Sequence, residues 1–182
     1  MRHGAVRAFI VIAALLGGGV AAAALHMPAP GPLDPLSFLL GTWEGVGSGK
    51  PGEATGQATF APGLQGRIMT RTSYADTPAT STAPASRHDD LLIIYAAEDG
   101  RLRADYWDNE GHVIRYAVSV PSARSAIFVS DIVTGAPRYR LTYQMGADGA
   151  LRGTFAVAPP GKPEDFAQYL AWDSRKVPAK GR

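Results

Sequence analysis

The sequence contains no cysteine. Disulfides, thiolate metal sites and cysteine nucleophiles are excluded, so a folded domain must rest on its apolar core. Histidine is scarce, four in all, and none follows His112. Long amphipathic helices are also missing; the apolar residues recur mainly at strand spacing. There is no lysine- or arginine-rich run. The formal charge of the 182 residues is only +2, and a near-neutral chain is a poor binder of nucleic acid, whose affinity rests on phosphate neutralisation. The longest hydrophobic run, Phe9 to Leu25, covers 17 residues and includes Gly17-Gly18-Gly19, which is short for a membrane span of roughly 20 apolar residues.

That run has the layout of a secretory leader. Arg2, His3 and Arg7 form a basic start, Ala8 to Val20 an apolar stretch, and Ala21 to Ala24 a small-residue cleavage site. Residues 1–24 are read as a signal peptide, with an uncleaved anchor as the rival reading. Loss of Arg2 and Arg7 with the leader takes Lys plus Arg from 18 to 16, equal to the 16 acidic residues. An exported, periplasmic or secreted protein with no remaining span is expected, and neither a nucleic acid nor a membrane is expected as partner. Residues 25–35, with Pro28, Pro30, Pro32 and Pro35, read as an extended linker. Residues 178–182 read as a tail.

Between them, residues 36–177 read as one all-β domain. Leu36–Leu40 is a short apolar helical turn. Strand segments follow at Thr42–Gly47, Gln57–Ala61, Arg67–Ala75, Asp90–Ala96, Leu102–Asp108, His112–Val120, Ala126–Val133, Arg138–Met145, Leu151–Ala158 and Gln168–Lys176. Asp76–Arg87 reads as a long loop, and Pro163 as the start of one helical turn.

Three turns set the register. Glu98-Asp99-Gly100, Asn109-Glu110-Gly111 and Ala147-Asp148-Gly149 each put glycine third, where a three-residue hairpin needs a left-handed backbone. Around Gly111, Asp108 then faces His112, Tyr106 faces Ile114, Ala104 faces Tyr116, and Asp105 meets Arg115 on the other face. Around Gly149, Met145 faces Leu151, Tyr143 Gly153, Leu141 Phe155 and Tyr139 Val157. One face is apolar and the other polar, as a half-buried antiparallel sheet requires. A meander of about ten strands with no helices to cover its edges most simply closes into a barrel.

Gly41-Thr42-Trp43 on the first strand, Arg175 on the last and the meander between them resemble the calycin superfamily, which includes lipocalins and fatty-acid-binding proteins. The run from Phe38 to Gly45 is similar to the opening of nitrobindin-type ten-stranded barrels. The resemblance implies a latch of Arg175 over Trp43 at the closed end, where such contacts are cation–π pairs, and a cavity for a small, mostly apolar ligand. It also implies haem bound through a histidine near the C-terminus. That histidine has no counterpart here, so haem is not expected.

The registers place Tyr106, Tyr116, Tyr139, Tyr143 and Phe155 on inner faces, where they line a ligand cavity or fill an ordinary core. The same registers bring Asp90 opposite Asp108, with His112 across the next turn and His88 two residues before Asp90. Two imidazoles and two carboxylates at one rim have the donors for a divalent metal or for acid–base chemistry; the favoured reading is a solvated rim on which Asp108 and His112 form a surface pair. Arg138 and Arg140 fall on the polar face and read as an outward ladder. Trp107 and Val113 fall outward too, as a dimer patch or as scattered surface apolars, and Trp172 reads the same way. Three functions follow: a barrel binding a small hydrophobic or amphipathic ligand, as a monomer or weak dimer; an enzyme at the His/Asp rim; or a partner-binding envelope protein. The first is favoured, and catalysis is not expected.

Overall fold

The structure is a computed structural model and describes residues 31–46 and 54–178. The leader, most of the proline-rich linker, part of the glycine-rich loop after Gly45 and the end of the tail lie outside the described residues. Within these, a 3-10 helix at Asp34–Leu39 is followed by ten strands: β1 (Gly41–Gly45), β2 (Thr55–Gly63), β3 (Ile68–Thr77), β4 (Ser86–Ala96), β5 (Leu102–Asp108), β6 (Val113–Ser122), β7 (Ser125–Ser130), β8 (Arg138–Met145), β9 (Leu151–Ala158) and β10 (Ala167–Lys176). Each pairs antiparallel with the next, and β1 pairs with β10 to close the barrel. The expected all-β, closed meander is the observed fold.

The hairpin registers are those the turns dictate. Asp105 sits opposite Arg115 and Tyr106 opposite Ile114; Tyr143 faces Gly153 and Leu141 faces Phe155; Asp90 faces Asp108 and Leu92 faces Tyr106. Gly100, Gly111 and Gly149 all adopt positive φ, between 77° and 91°. Two expectations differ. β4 begins at Ser86, so the loop before it shortens and His88 enters the strand. Pro159 to Phe166 forms hydrogen-bonded turns, Lys162 N–H to the Pro159 carbonyl and Asp165 N–H to that of Lys162, with no helical turn at Pro163. Phe166 then packs over the outward Arg138 and Arg140 guanidinium groups at 5.8 and 4.5 Å.

The two barrel ends differ. At one end the 3-10 helix plugs the opening with Leu36 and Leu39, both fully buried. Trp43 lies against it and donates its indole N–H to the Leu39 carbonyl at 2.7 Å, which satisfies the only polar atom of a buried ring. Above the plug, Phe60, Met69, Ile94, Ala104, Tyr116, Phe128, Leu141 and Leu151 are buried and fill the lumen. Phe60, Tyr143, Phe128 and Tyr116 meet edge to face at 5.4–6.2 Å. At the other end the inward positions are only partly buried. They include His88 and Asp90 on β4, Tyr106 on β5, Tyr139 on β8 and Phe155 on β9. Trp172 and Leu170, opposite Gly153 and Phe155 in the ladder, are exposed. The apolar core therefore occupies the closed half, and solvent reaches the inner wall of the open half.

Candidate functional site

The floor of the open half is a side chain absent from the sequence-based site. Arg71 lies on the inner face of β3, between Phe60 and Leu92 in the ladder. Its guanidinium reaches the Tyr143 hydroxyl on β8, which stands across the barrel in the strand order. The other terminal nitrogen, Nη2, pairs with Asp90 Oδ1 at 2.5 Å; the two side chains are 6% and 9% exposed. Asp90 Oδ2 accepts the Ser73 hydroxyl at 2.6 Å. Burial opposes the Arg71 charge, but Tyr143 and Asp90 outweigh it and hold the guanidinium above its ordinary value. Arg71 Nε is buried with no acceptor among the described residues. Asp90 is thus not a free rim carboxylate, as its position opposite Asp108 suggested. It is the counter-ion of a buried arginine.

From this floor a polar relay climbs to the rim. The Tyr106 ring lies 5.9 Å from the Arg71 guanidinium, and its hydroxyl donates to Asp108 Oδ2 at 3.1 Å. His88 Nε2 is 3.0 Å from that same hydroxyl, and its Nδ1 is 3.0 Å from Glu110 Oε1. His112 Nδ1 is 2.8 Å from Asp108 Oδ2, while the backbone N–H groups of Glu110 and His112 donate to Asp108 Oδ1 at 3.0 and 2.9 Å. Asp108 is only 3% exposed, against 59% for His112. Burial alone would raise the Asp108 pKa, but the His112 backbone and ring and the Tyr106 hydroxyl outweigh it and hold the carboxyl below its ordinary value. Burial also pushes Tyr106 well above an ordinary phenol, reinforced by Asp90 and Asp108.

Asp90 and Asp108 therefore share one inner wall as the registers required, His88 joins them because β4 extends back to Ser86, and His112 stands at the exposed rim. Their donors are spent on one another and on Arg71, Ser73, Tyr106 and Glu110. Among the described residues no three histidine, aspartate or glutamate side chains converge in a metal-binding arrangement. The Asp108–His112 pair keeps the geometry of an acid–base dyad, with a buried carboxylate orienting an exposed imidazole.

The five aromatic candidates separate into two groups. Tyr116 and Tyr143 belong to the buried core, and burial pushes both phenols upward. Tyr106, Tyr139 and Phe155 line the open half. Tyr139 and Phe155 stack at 5.7 Å with 16° between their planes. Trp172 joins them, its ring 6.2 Å from that of Tyr143. It lies against the backbone of Gly153, where a Cβ would fall 2.1 Å from the indole.

The latch at the closed end is corrected. β1 and β10 do meet, but Arg175 pairs with Glu44 on the outer face, and Lys176 faces Trp43. Lys176 Nζ stands 5.4 Å from the indole centroid. Gly41, at φ +113°, leaves room for the lysine stem; a Cβ there would fall 2.6 Å from Lys176 Cε. Trp107 and Val113 pair across β5 and β6 on the outer face, both exposed.

Sequence patterning does not assign Arg71, Glu110 or Lys176 to the site, and Trp172, which it reads as an outer-face residue like Trp107, lies instead on the inner wall opposite Gly153. Glu110 alone had a local signal, since it sits in the tight turn between Asp108 and His112. Compared with known proteins, the chain matches no family model, and no curated sequence is significantly similar to it.

Proposed function

We propose that this barrel is a calycin-like binding protein that takes a small amphipathic molecule into its open half. The observation that carries the reading is the division of the lumen. The closed half is packed with side chains, while inward-facing Trp172, Leu170, Tyr139 and Phe155 keep solvent-reachable apolar surface above a polar floor. Apolar wall on one side and a few convergent hydrogen-bonding groups on the other is the usual make-up of a small-molecule site. One fold hosts many functions, so the reading rests on the divided lumen of this chain rather than on the barrel alone. In this reading the protein works outside the cytoplasm, in keeping with the leader pattern of residues 1–24. Native mass spectrometry of the protein purified from envelope or medium tests it. A small molecule retained at one copy per chain and released on unfolding is expected. A chain that emerges empty and takes nothing from a cell extract overturns the reading.

A second reading, acid–base chemistry, rests on the Asp108–His112 pair. The buried carboxylate fixes Nδ1 of an imidazole that is otherwise exposed to solvent. Hydrolysis of a small activated ester, compared between the native chain and His112→Ala, tests it. Equal rates remove this reading without touching the first.

A further inference from the structure

The chamber's walls restrict what it accepts. β9 and β10 stand across the barrel from β4 and β5 in the closed strand order. The first wall is aromatic: Trp172 lies against the Gly153 backbone and remains 36% exposed, and beside it Tyr139 and Phe155 stack with their planes 16° apart. Flat rings held against a sheet offer a plate for another flat ring, since offset stacking keeps full contact without bending either partner. Flexible aliphatic chains would gain area there but lose rotamer freedom.

The polar side restricts the head group. Among the described residues Arg71 is the only arginine or lysine on the floor, and Asp90 already neutralises it at 2.5 Å. Asp108 and Glu110 add negative charge on the same wall. An anionic head would meet those carboxylates with no unpaired lysine or arginine on that wall among the described residues. One buried donor does remain open, the Arg71 Nε–H, and a buried donor without an acceptor is costly.

Resting on the ligand-chamber reading above, we infer that the open half selects a neutral, planar aromatic molecule. Its rings lie on the Trp172 plate, and its polar edge carries no charge. A fatty-acid-like carboxylate on a flexible chain is the class it disfavours.

Isothermal titration of the full chain with three probes tests this: coumarin, a carboxylated coumarin, and an aliphatic nonanolactone. The first pair differ in charge, and coumarin and nonanolactone differ in the flat ring. Coumarin is expected to bind tightest of the three. Trp172→Leu is expected to weaken it about five-fold or more, the scale of a lost ring–ring contact, with circular dichroism reporting that the barrel persists. The ranking needs only the native chain, so a variant that fails to fold leaves the test intact. Nonanolactone or the carboxylated probe binding as well as coumarin overturns the inference and leaves the chamber standing. Coumarin binding unchanged in a folded Trp172→Leu does the same. No uptake of any probe, together with an empty chain in native mass spectrometry, overturns the chamber itself.

Discussion

At the scale of single residues, the decisive one is Arg71. A guanidinium with its whole side chain out of water is tolerated because Asp90 and the Tyr143 hydroxyl take its terminal nitrogens. Removing one member of such a pair leaves the other charge buried and alone, a loss of about 3–5 kcal/mol. Asp90→Asn is expected to lower the unfolding free energy, read from denaturant titration, by that much. The double replacement Arg71→Met with Asp90→Leu should recover most of the loss, because apolar side chains of similar volume offset the missing pair. A single variant as stable as the double one contradicts the account. Asp108 makes a second prediction. Its folded pKa lies below the unfolded value, so its contribution is fully present above the unfolded value, ordinarily near ~3.9. That contribution is lost as pH falls through the folded one. Asp108→Asn should therefore lower stability at neutral pH and flatten the acid limb below about pH 4. An unchanged acid limb in thermal unfolding against pH would show that the carboxylate is not held by His112 and Tyr106.

Single elements show what could be read from the chain and what could not. Where a hairpin turn carries glycine in third place, the register follows from the turn. β4–β5, β5–β6 and β8–β9 pair as expected, and the convergence of Asp90, Asp108 and His112 was legible from the turns, whereas His88 joins only because β4 extends back to Ser86. Arg71 was not, because the connection from β3 to β4 has no such turn. β3 also alternates weakly: Ile68, Thr70 and Thr72 on one face, Met69, Arg71 and Ser73 on the other. Polar and apolar residues occur on both sides, so parity does not say which face is inside. Lys176 went unassigned for a related reason. The β1–β10 register joins strands far apart in sequence with no turn to set it, and a shift of one residue exchanges Arg175 for Lys176. Trp172 sits after the irregular pairing between Gln168 and Leu170, which breaks the count along β10. The same strand gives the element-scale prediction. Gly153 has no Cβ because the Trp172 indole occupies that space. Gly153→Ala should push the ring off the wall, shift tryptophan emission to the red and cost about 1–3 kcal/mol, as overpacking does. An unshifted spectrum with native stability would contradict the placement of the indole.

For the whole molecule, the barrel divides a packed core from a solvent-reached half along its axis. The closed end is sealed by the 3-10 helix, by Trp43 bonded to Leu39, and by the β1–β10 seam with Lys176 over the ring. The Gly-x-Trp opening is therefore a structural device, and Gly41 is part of it because it makes room for the lysine stem. Above the Arg71–Tyr143 span the lumen stops being core and carries a polar relay on one side and an aromatic wall on the other. Nothing in the composition marks that boundary; it appears only when β3 and β8 are set opposite each other. The central claim, that the open half is a binding chamber, is tested most directly by blocking it. Ala75 faces His88 on the inner side of β3, away from the closed-end core. Titration of the neutral dye N-phenylnaphthylamine should show saturable, one-site fluorescence enhancement with the native chain. With a folded Ala75→Trp the enhancement should be lost. Equal enhancement in both proteins would place the dye elsewhere and contradict the account.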